Sequence, residues 1–298
     1  MNGGAGDAAN PVELIIDAHA EIGEGPLWLA AENVLVWVDI TRNKVHRYDP
    51  ASGRNVTIDV GQPVGAAVPR AAGGLALALQ DGFATLDLRT GRVEMIADVE
   101  RDNPGNRMND GKCDRAGRFW AGTMAFDERH GAGALYRLDV DHRVEMVVDD
   151  VTVSNGLDWT PDDTAMYYID TPTGGVDVFD YDAGTGTLRG RGRHVTIASG
   201  QGHPDGMTVD AEGYLWVALW GGWAVHRYSP GGTLDRVIDL PVSQVTCCAF
   251  GGPTLEDLYI TSAAGGLSDE DLSAQPHAGG LFRYRPGVRG RPAHSYFG

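Results

Sequence analysis

Apolar residues in this chain come in short bursts of about five, each closed by a Gly, Pro or Asp turn, and the bursts recur in pairs. The first members lie at 35–39 (LVWVD), 75–79 (LALAL), 118–123 (RFWAGT), 165–170 (AMYYID), 214–219 (YLWVAL) and 257–262 (DLYITS). Their partners lie at 45–50 (VHRYDP), 83–87 (FATLD), 134–139 (ALYRLD), 176–182 (VDVFDYD), 225–230 (VHRYSP) and 281–286 (LFRYRP). Runs of this length, rich in β-branched and aromatic residues and bounded by turn formers, predict strands. A shorter apolar strand leads into each pair, as at 26–28, 156–159 and 206–209. Several strands per unit at a period of roughly 40–55 residues is the pattern of a β-propeller. The expected fold is all-β, a six-bladed β-propeller of four-stranded blades. The strand at 12–17 precedes the first unit and is left over. Its natural place is beside the last blade, where it closes the ring and removes an exposed edge. Residues 1–10 are expected to be a flexible tail and 11–298 a single domain. One helix is predicted, at 268–274, with Ser268 as cap, Glu270 and Asp271 in the first turn and Pro276 as its stop.

A propeller aims the start of every innermost strand at one axis, so equivalent positions in the units become neighbours. Counting back ten to twelve residues from the paired strands reaches Glu24, Val64, Asp110, Asn155, Asp205 and Thr246, most of them followed by Gly. Three are carboxylates and one is an amide, set at the head of mostly apolar strands. Each would cost about 1–3 kcal/mol or more if buried without a partner. Taken singly, Glu24 could be a solvated turn carboxylate, Asn155-Gly156 a backbone-driven turn and Asp205 a plain turn residue. Their shared position in the units converts them into a ring of oxygen donors, which calls for a cation. Two carboxylates and an amide carbonyl suit Ca²⁺, Mg²⁺ or Mn²⁺, with Zn²⁺ or Fe²⁺ also possible. His203 lies close to Asp205 in sequence and would shift the preference to a softer metal; at the head of a strand it is expected at the surface.

Composition narrows the partners. The net charge is −17 and no Lys/Arg cluster runs along the chain, which argues against nucleic acid and anionic membranes. No apolar stretch reaches the roughly 18 residues of a membrane span. Residues 1–10 lack the features of a signal peptide. The three cysteines, Cys113, Cys247 and Cys248, have no metal-ligand spacing, and the adjacent pair points to opposite faces of a strand. Buried thiols in a reducing, cytoplasmic setting are expected. The chain is expected to be a monomer or a weak homo-oligomer.

Several motifs in order, 23–28 (GEGPLW), 107–112 (RMNDGK), 117–124 (GRFWAGTM), 154–159 (SNGLDW), 167–170 (YYID), 204–207 (PDGM) and 247–252 (CCAFGG), followed by 279–282 (GGLF) and 294–298 (HSYFG), carry a further inference. The chain resembles the regucalcin/gluconolactonase family of sugar lactonases, also called senescence marker proteins, nearly end to end. The resemblance implies a six-bladed propeller, one divalent cation and hydrolysis of an aldonolactone such as gluconolactone. It places the metal ligands on Glu24, Asn155 and Asp205, and substrate contacts on Arg107 and Asn109. A family glutamate soon after the AGTM segment corresponds to Asp127, although 125–128 (AFDE) departs from the family pattern. Without the motif, Arg107 would be read as a salt-bridge partner of Asp102 or Asp110.

Lactone hydrolysis needs a polarised carbonyl, a nucleophilic water and a proton acceptor. The cation would serve the first two, and Asp205 is the candidate general base. Arg107 and Asn109 would orient the sugar. No G-x-S-x-G elbow supports a serine route. Three other readings stay open: a non-catalytic calcium-binding regulator, a scaffold for protein partners, and an organophosphate or aryl-ester hydrolase on a similar propeller.

Overall fold

The structure, a computed structural model, describes residues 11–298, so the expected tail at 1–10 lies outside the described residues. Six sheets of four antiparallel strands form the expected six-bladed propeller. The innermost strands are Gly23–Leu29, Val64–Pro69, Asn106–Cys113, Ser154–Trp159, His203–Val209 and Val245–Gly251. Each touches the next around the ring, and the last touches the first. These strands are buried on both faces, whereas outermost strands such as Val93–Asp98 and Leu234–Asp239 are mostly exposed or half-buried. The core lies between blades, where Trp37, Trp120 and Trp216 are fully buried.

Ring closure follows the sequence reading. Glu13–Ile16 pairs antiparallel with Leu281–Tyr284, with Glu13 opposite Arg283 and Leu14 opposite Phe282. The last blade therefore joins the two ends of the chain. The predicted helix is Asp269–Ala274, capped by Ser268, whose Oγ accepts from Asp271 N at 3.1 Å while the Asp271 carboxylate accepts from Ser268 N at 3.3 Å. No helix among the described residues is long and apolar enough to cross a membrane.

A second closure was not anticipated. Residues 289–297 run across the ends of the innermost strands, on the face opposite their starts. Ala211 N donates to Arg289 O at 2.9 Å, Gly290 N to Leu255 O at 2.8 Å, Phe297 N to Gly117 O at 3.0 Å and Tyr296 N to Pro69 O at 2.8 Å. Arg291 donates to Asp158 Oδ1 at 2.9 Å and to Trp159 O at 2.7 Å. One short segment is thus tied to blades two to six, stapling the far mouth of the channel.

Candidate metal centre and substrate cavity

Every innermost strand is irregular at one place. Its pairing with the second strand slips between Glu24 and Leu27, Val64 and Ala66, Met108 and Gly111, Ser154 and Leu157, Pro204 and Met207, and Val245 and Cys247. A bulge re-aims side chains that a regular strand would alternate between its faces. The ring of donors is therefore a ring of bulges. The glycine that follows permits close approach of the neighbouring blade: a Cβ on Gly65 would lie 1.9 Å from Asn109 O, and one on Gly156 would lie 2.8 Å from Asp205 O. The repeated residue-plus-glycine signal records both requirements at once.

The bulges gather Glu24, Asp110, Asn155 and Asp205 as buried groups around the axis. Each of the three carboxylates accepts a hydrogen bond from the backbone N–H of its following glycine, Gly25, Gly111 and Gly206. Beyond that they are poorly neutralised. Burial first, and then the charges of Asp205 and Asp110, hold the Glu24 carboxyl well above the usual carboxylate range. Asp205 is raised by burial and by Asp110, with Arg107 opposing. Burial lifts Asp110 to about 6, against the pull of Lys112. Lys112 sits further down the channel, donating to Asp158 Oδ2 and to Met207 O, both at 3.0 Å. Glu24 Oε1 is buried and makes no hydrogen bond of normal length, the Cys247 thiol offering the carboxylate only a weak contact. Mutually repelling, desolvated carboxylates with an oxygen lacking a normal hydrogen bond are what a cation site looks like before its charge is counted. No three Asp, Glu, His or Cys side chains among the described residues gather closely enough to hold a metal ion by themselves.

A chain of hydrogen bonds locks the Asn155 amide. Arg107 Nη1 donates to Asn109 Oδ1 at 2.6 Å, and Asn109 Nδ2 donates to Ser154 O at 2.7 Å and Asn155 Oδ1 at 3.0 Å. Asn155 Nδ2 donates to Thr171 Oγ1 at 2.8 Å, and Thr171 Oγ1 to Pro204 O at 2.8 Å. The network crosses three blades and settles the amide orientation, with Asn155 Oδ1 on the Asn109 side. Asn109 uses both ends of its amide inside the protein, so it positions Arg107 and Asn155 as well as facing the cavity. Burial lowers Arg107 to about 10, against the charges of Glu24, Asp205 and Glu128, which leaves it a cation at neutral pH.

Above these groups opens a cavity of about 370 Å³. Its floor is Glu24, Arg107, Asn109, Asn155 and Asp205; Ile22, Met124, Val153, Pro172 and Trp220 supply apolar wall, and Glu128, Thr171 and His203 polar wall. Five of the six residues singled out from the sequence therefore share one cavity. Asp127 does not line it: this residue is exposed, and its Oδ1 accepts from Arg129 N at 3.3 Å. The next residue, Glu128, lines the cavity instead, because its left-handed backbone (φ 53°) turns the chain there. Asp110 belonged to the ring of heads but not to the proposed ligand set; it adds charge beside that set. Thr171 carried no signal in the sequence. His203 is exposed, as expected, yet stands at the cavity wall. The three thiols are free and buried.

The family model of the SMP-30/gluconolactonase/LRE-like region matches residues 22–264, which include every floor residue. The chain belongs to this family. Among its relatives, regucalcin from Gallus gallus is 41% identical over 294 residues, covering 96% of this chain and 98% of that protein. Human regucalcin is 39% identical over 295 residues, covering 96% and 98%. Of solved structures, a calcium-binding regucalcin from Agrobacterium tumefaciens superposes with a TM-score of 0.92 at 31% identity, over 96% of this chain and 97% of that one. A luciferin-regenerating enzyme superposes at 0.90 with 33% identity, over 97% and 99%. Within the SMP-30/gluconolactonase family, then, this chain carries the propeller complete, including the closing strand that lies outside the matched region.

Proposed function

We propose that the chain hydrolyses a sugar lactone, opening an aldonolactone such as gluconolactone to the aldonic acid, with one divalent cation held by Glu24, Asn155 and Asp205. The observation that carries this reading is the pairing of two desolvated carboxylates, one with an oxygen lacking a normal hydrogen bond, with the Arg107 guanidinium on the floor of one ligand-sized cavity. The donor set is all oxygen, which suits Ca²⁺, Mg²⁺ or Mn²⁺ ahead of softer ions. When bound, such a cation supplies Lewis acidity towards an ester carbonyl and makes water easier to deprotonate.

The protein's own groups supply the rest. Asp205 accepts the proton of the attacking water, a role supported by the place of its carboxylate on the cavity floor. As the ring C–O bond breaks, the same proton passes to the departing ring oxygen, so that one water is consumed and acid and alcohol groups are formed. Arg107 binds sugar or carboxylate oxygens by charge-assisted hydrogen bonds, and Asn109 holds Arg107 and Asn155 in fixed relation. The test is turnover of five- and six-carbon aldonolactones after chelation and re-addition of Ca²⁺, Mg²⁺, Mn²⁺, Zn²⁺ or Fe²⁺. Loss on chelation and recovery with an added ion supports the proposal; no turnover of any lactone with any ion overturns it. A second reading, a calcium-binding regulator, is favoured by the Agrobacterium relative described as calcium-binding. Calcium binding by calorimetry without any lactone turnover would support it.

A further inference from the structure

We propose that the Lys112 ammonium occupies a second cation site in the axial channel, deeper than the Glu24, Asn155 and Asp205 centre, and so keeps that centre mononuclear. This goes beyond the lactonase reading and concerns only which charges share the axis.

Lys112 lies on the innermost strand of the third blade, just past the bulge that slips between Met108 and Gly111. Its side chain reaches two further blades. Nζ donates to Asp158 Oδ2 in the fourth blade and to Met207 O in the fifth, both at 3.0 Å. Asp110 is near enough for its charge to act on the ammonium. Two carboxylates and a backbone carbonyl around one point are donors that a hard cation takes from protein.

The propeller, not the lysine, holds this oxygen set in place. Asp158 Oδ1 accepts from Trp159 N at 2.8 Å and from Arg291 Nη2 at 2.9 Å, and Oδ2 accepts from Val209 N at 3.0 Å. Met207 O belongs to a paired strand, with Met207 opposite Val217. Both oxygens therefore keep their positions when the lysine side chain is shortened. Water has room beside them. A cavity of about 60 Å³ lies under the strap, with Lys112, Asp158, Thr208 and His294 on its wall. One water needs roughly 10–15 Å³ of such space, so an ion in place of Nζ can complete its shell from that side.

A tethered ammonium differs from a free ion because it cannot leave. It offsets Asp158 and Asp110 at every metal concentration, and it denies their oxygens to a second divalent ion. Burial works against the charge, but Asp158 and Asp110 outweigh it, so Lys112 stays protonated at neutral pH.

The test counts ions. The full chain, stripped by chelation, is titrated with Ca²⁺ by calorimetry beside Lys112→Ala and Lys112→Met. The parent should take up about one ion per chain and Lys112→Ala about two. Lys112→Met fills the same space without charge and should stay at about one, as should Lys112→Ala combined with Asp158→Asn. In urea, chelated Lys112→Ala should unfold earlier than the parent, and saturating Ca²⁺ should raise its midpoint by more than it raises the parent's. Equal Ca²⁺ uptake by Lys112→Ala and the parent overturns the assignment. So does a second ion in Lys112→Met, or a Lys112→Ala chain that stays unfolded in saturating Ca²⁺. No Ca²⁺ uptake by the parent would instead count against the divalent centre of the proposed function; the Lys112 site is read from the difference between variant and parent, so the two failures are distinguishable.

Discussion

Replacing Asp110 by Asn should make the metal-free protein more stable, and increasingly so as pH rises. Asp110 is buried at the channel axis, its hydrogen bond to Gly111 N survives in the amide, and burial lifts its pKa from 3.8 to about 6. Because the folded value lies above the unfolded one, its contribution to stability is fully present below 3.8 and is lost as pH climbs through about 6. At about 1.4 kcal/mol per tenfold change in protonation, the ionised carboxylate costs about 3 kcal/mol above neutrality and about 0.5 kcal/mol near pH 4. The Lys112 charge that partly neutralises Asp110 is already contained in that pKa, and Lys112 keeps Asp158 as a partner in the variant. Denaturant unfolding with a chelator present, at about pH 4 and about pH 8, should therefore show Asp110→Asn ahead by about 3 kcal/mol at the higher pH and nearly level at the lower. Saturating Ca²⁺ should narrow the gap, since a dication favours the ionised form. A gap independent of pH, or a variant less stable than the parent at about pH 8, would refute the account of the channel as a site of unneutralised charge.

Three further outcomes follow from the same geometry. In Asp205→Asn, saturating metal should restore occupancy by calorimetry but leave turnover down by about 10²-fold or more, whereas Asn155→Ala should regain at least part of its activity as metal is raised; near-parental turnover of metal-saturated Asp205→Asn would leave Asp205 a ligand only. Arg107→Ala should lower kcat/KM for a sugar lactone by about 10- to 100-fold without weakening metal binding, read by steady-state kinetics beside calorimetry. Arg291→Met should cost about 2–4 kcal/mol in urea unfolding. Burial alone would raise Asp158, and the charges of Lys112 and Arg291, with the Trp159 backbone N–H, hold it low, so the strap's release takes one of its two cations from a buried carboxylate; a loss under about 0.5 kcal/mol would mean that the strap is held by its backbone bonds alone.

What the sequence by itself determined was everything that repeats. Strand length and turn chemistry are local demands imposed six times by the same geometry, and the residue-plus-glycine head recurs in five of the six units, so the copies reinforce one another in the linear order. That is why the blade number, the closing strand and the positions of Glu24, Asn155 and Asp205 at the channel could be read without coordinates. Single occurrences had no such support. Between Asp127 and Glu128 the residue types barely differ, and which one faces the cavity is set by one left-handed residue in a turn that occurs once. Thr171 belongs to the site only because its hydroxyl links Asn155 in one blade to Pro204 at the head of the next. Nor does anything local mark residues 289–297 as a strap, since their partners Pro69, Gly117, Asp158, Ala211 and Leu255 are scattered along the chain and meet only on the assembled ring. Periodicity carries the propeller and its axis; the specificity of the cavity and the second closure of the ring arise from contacts between residues far apart in sequence, which only the tertiary structure brings together.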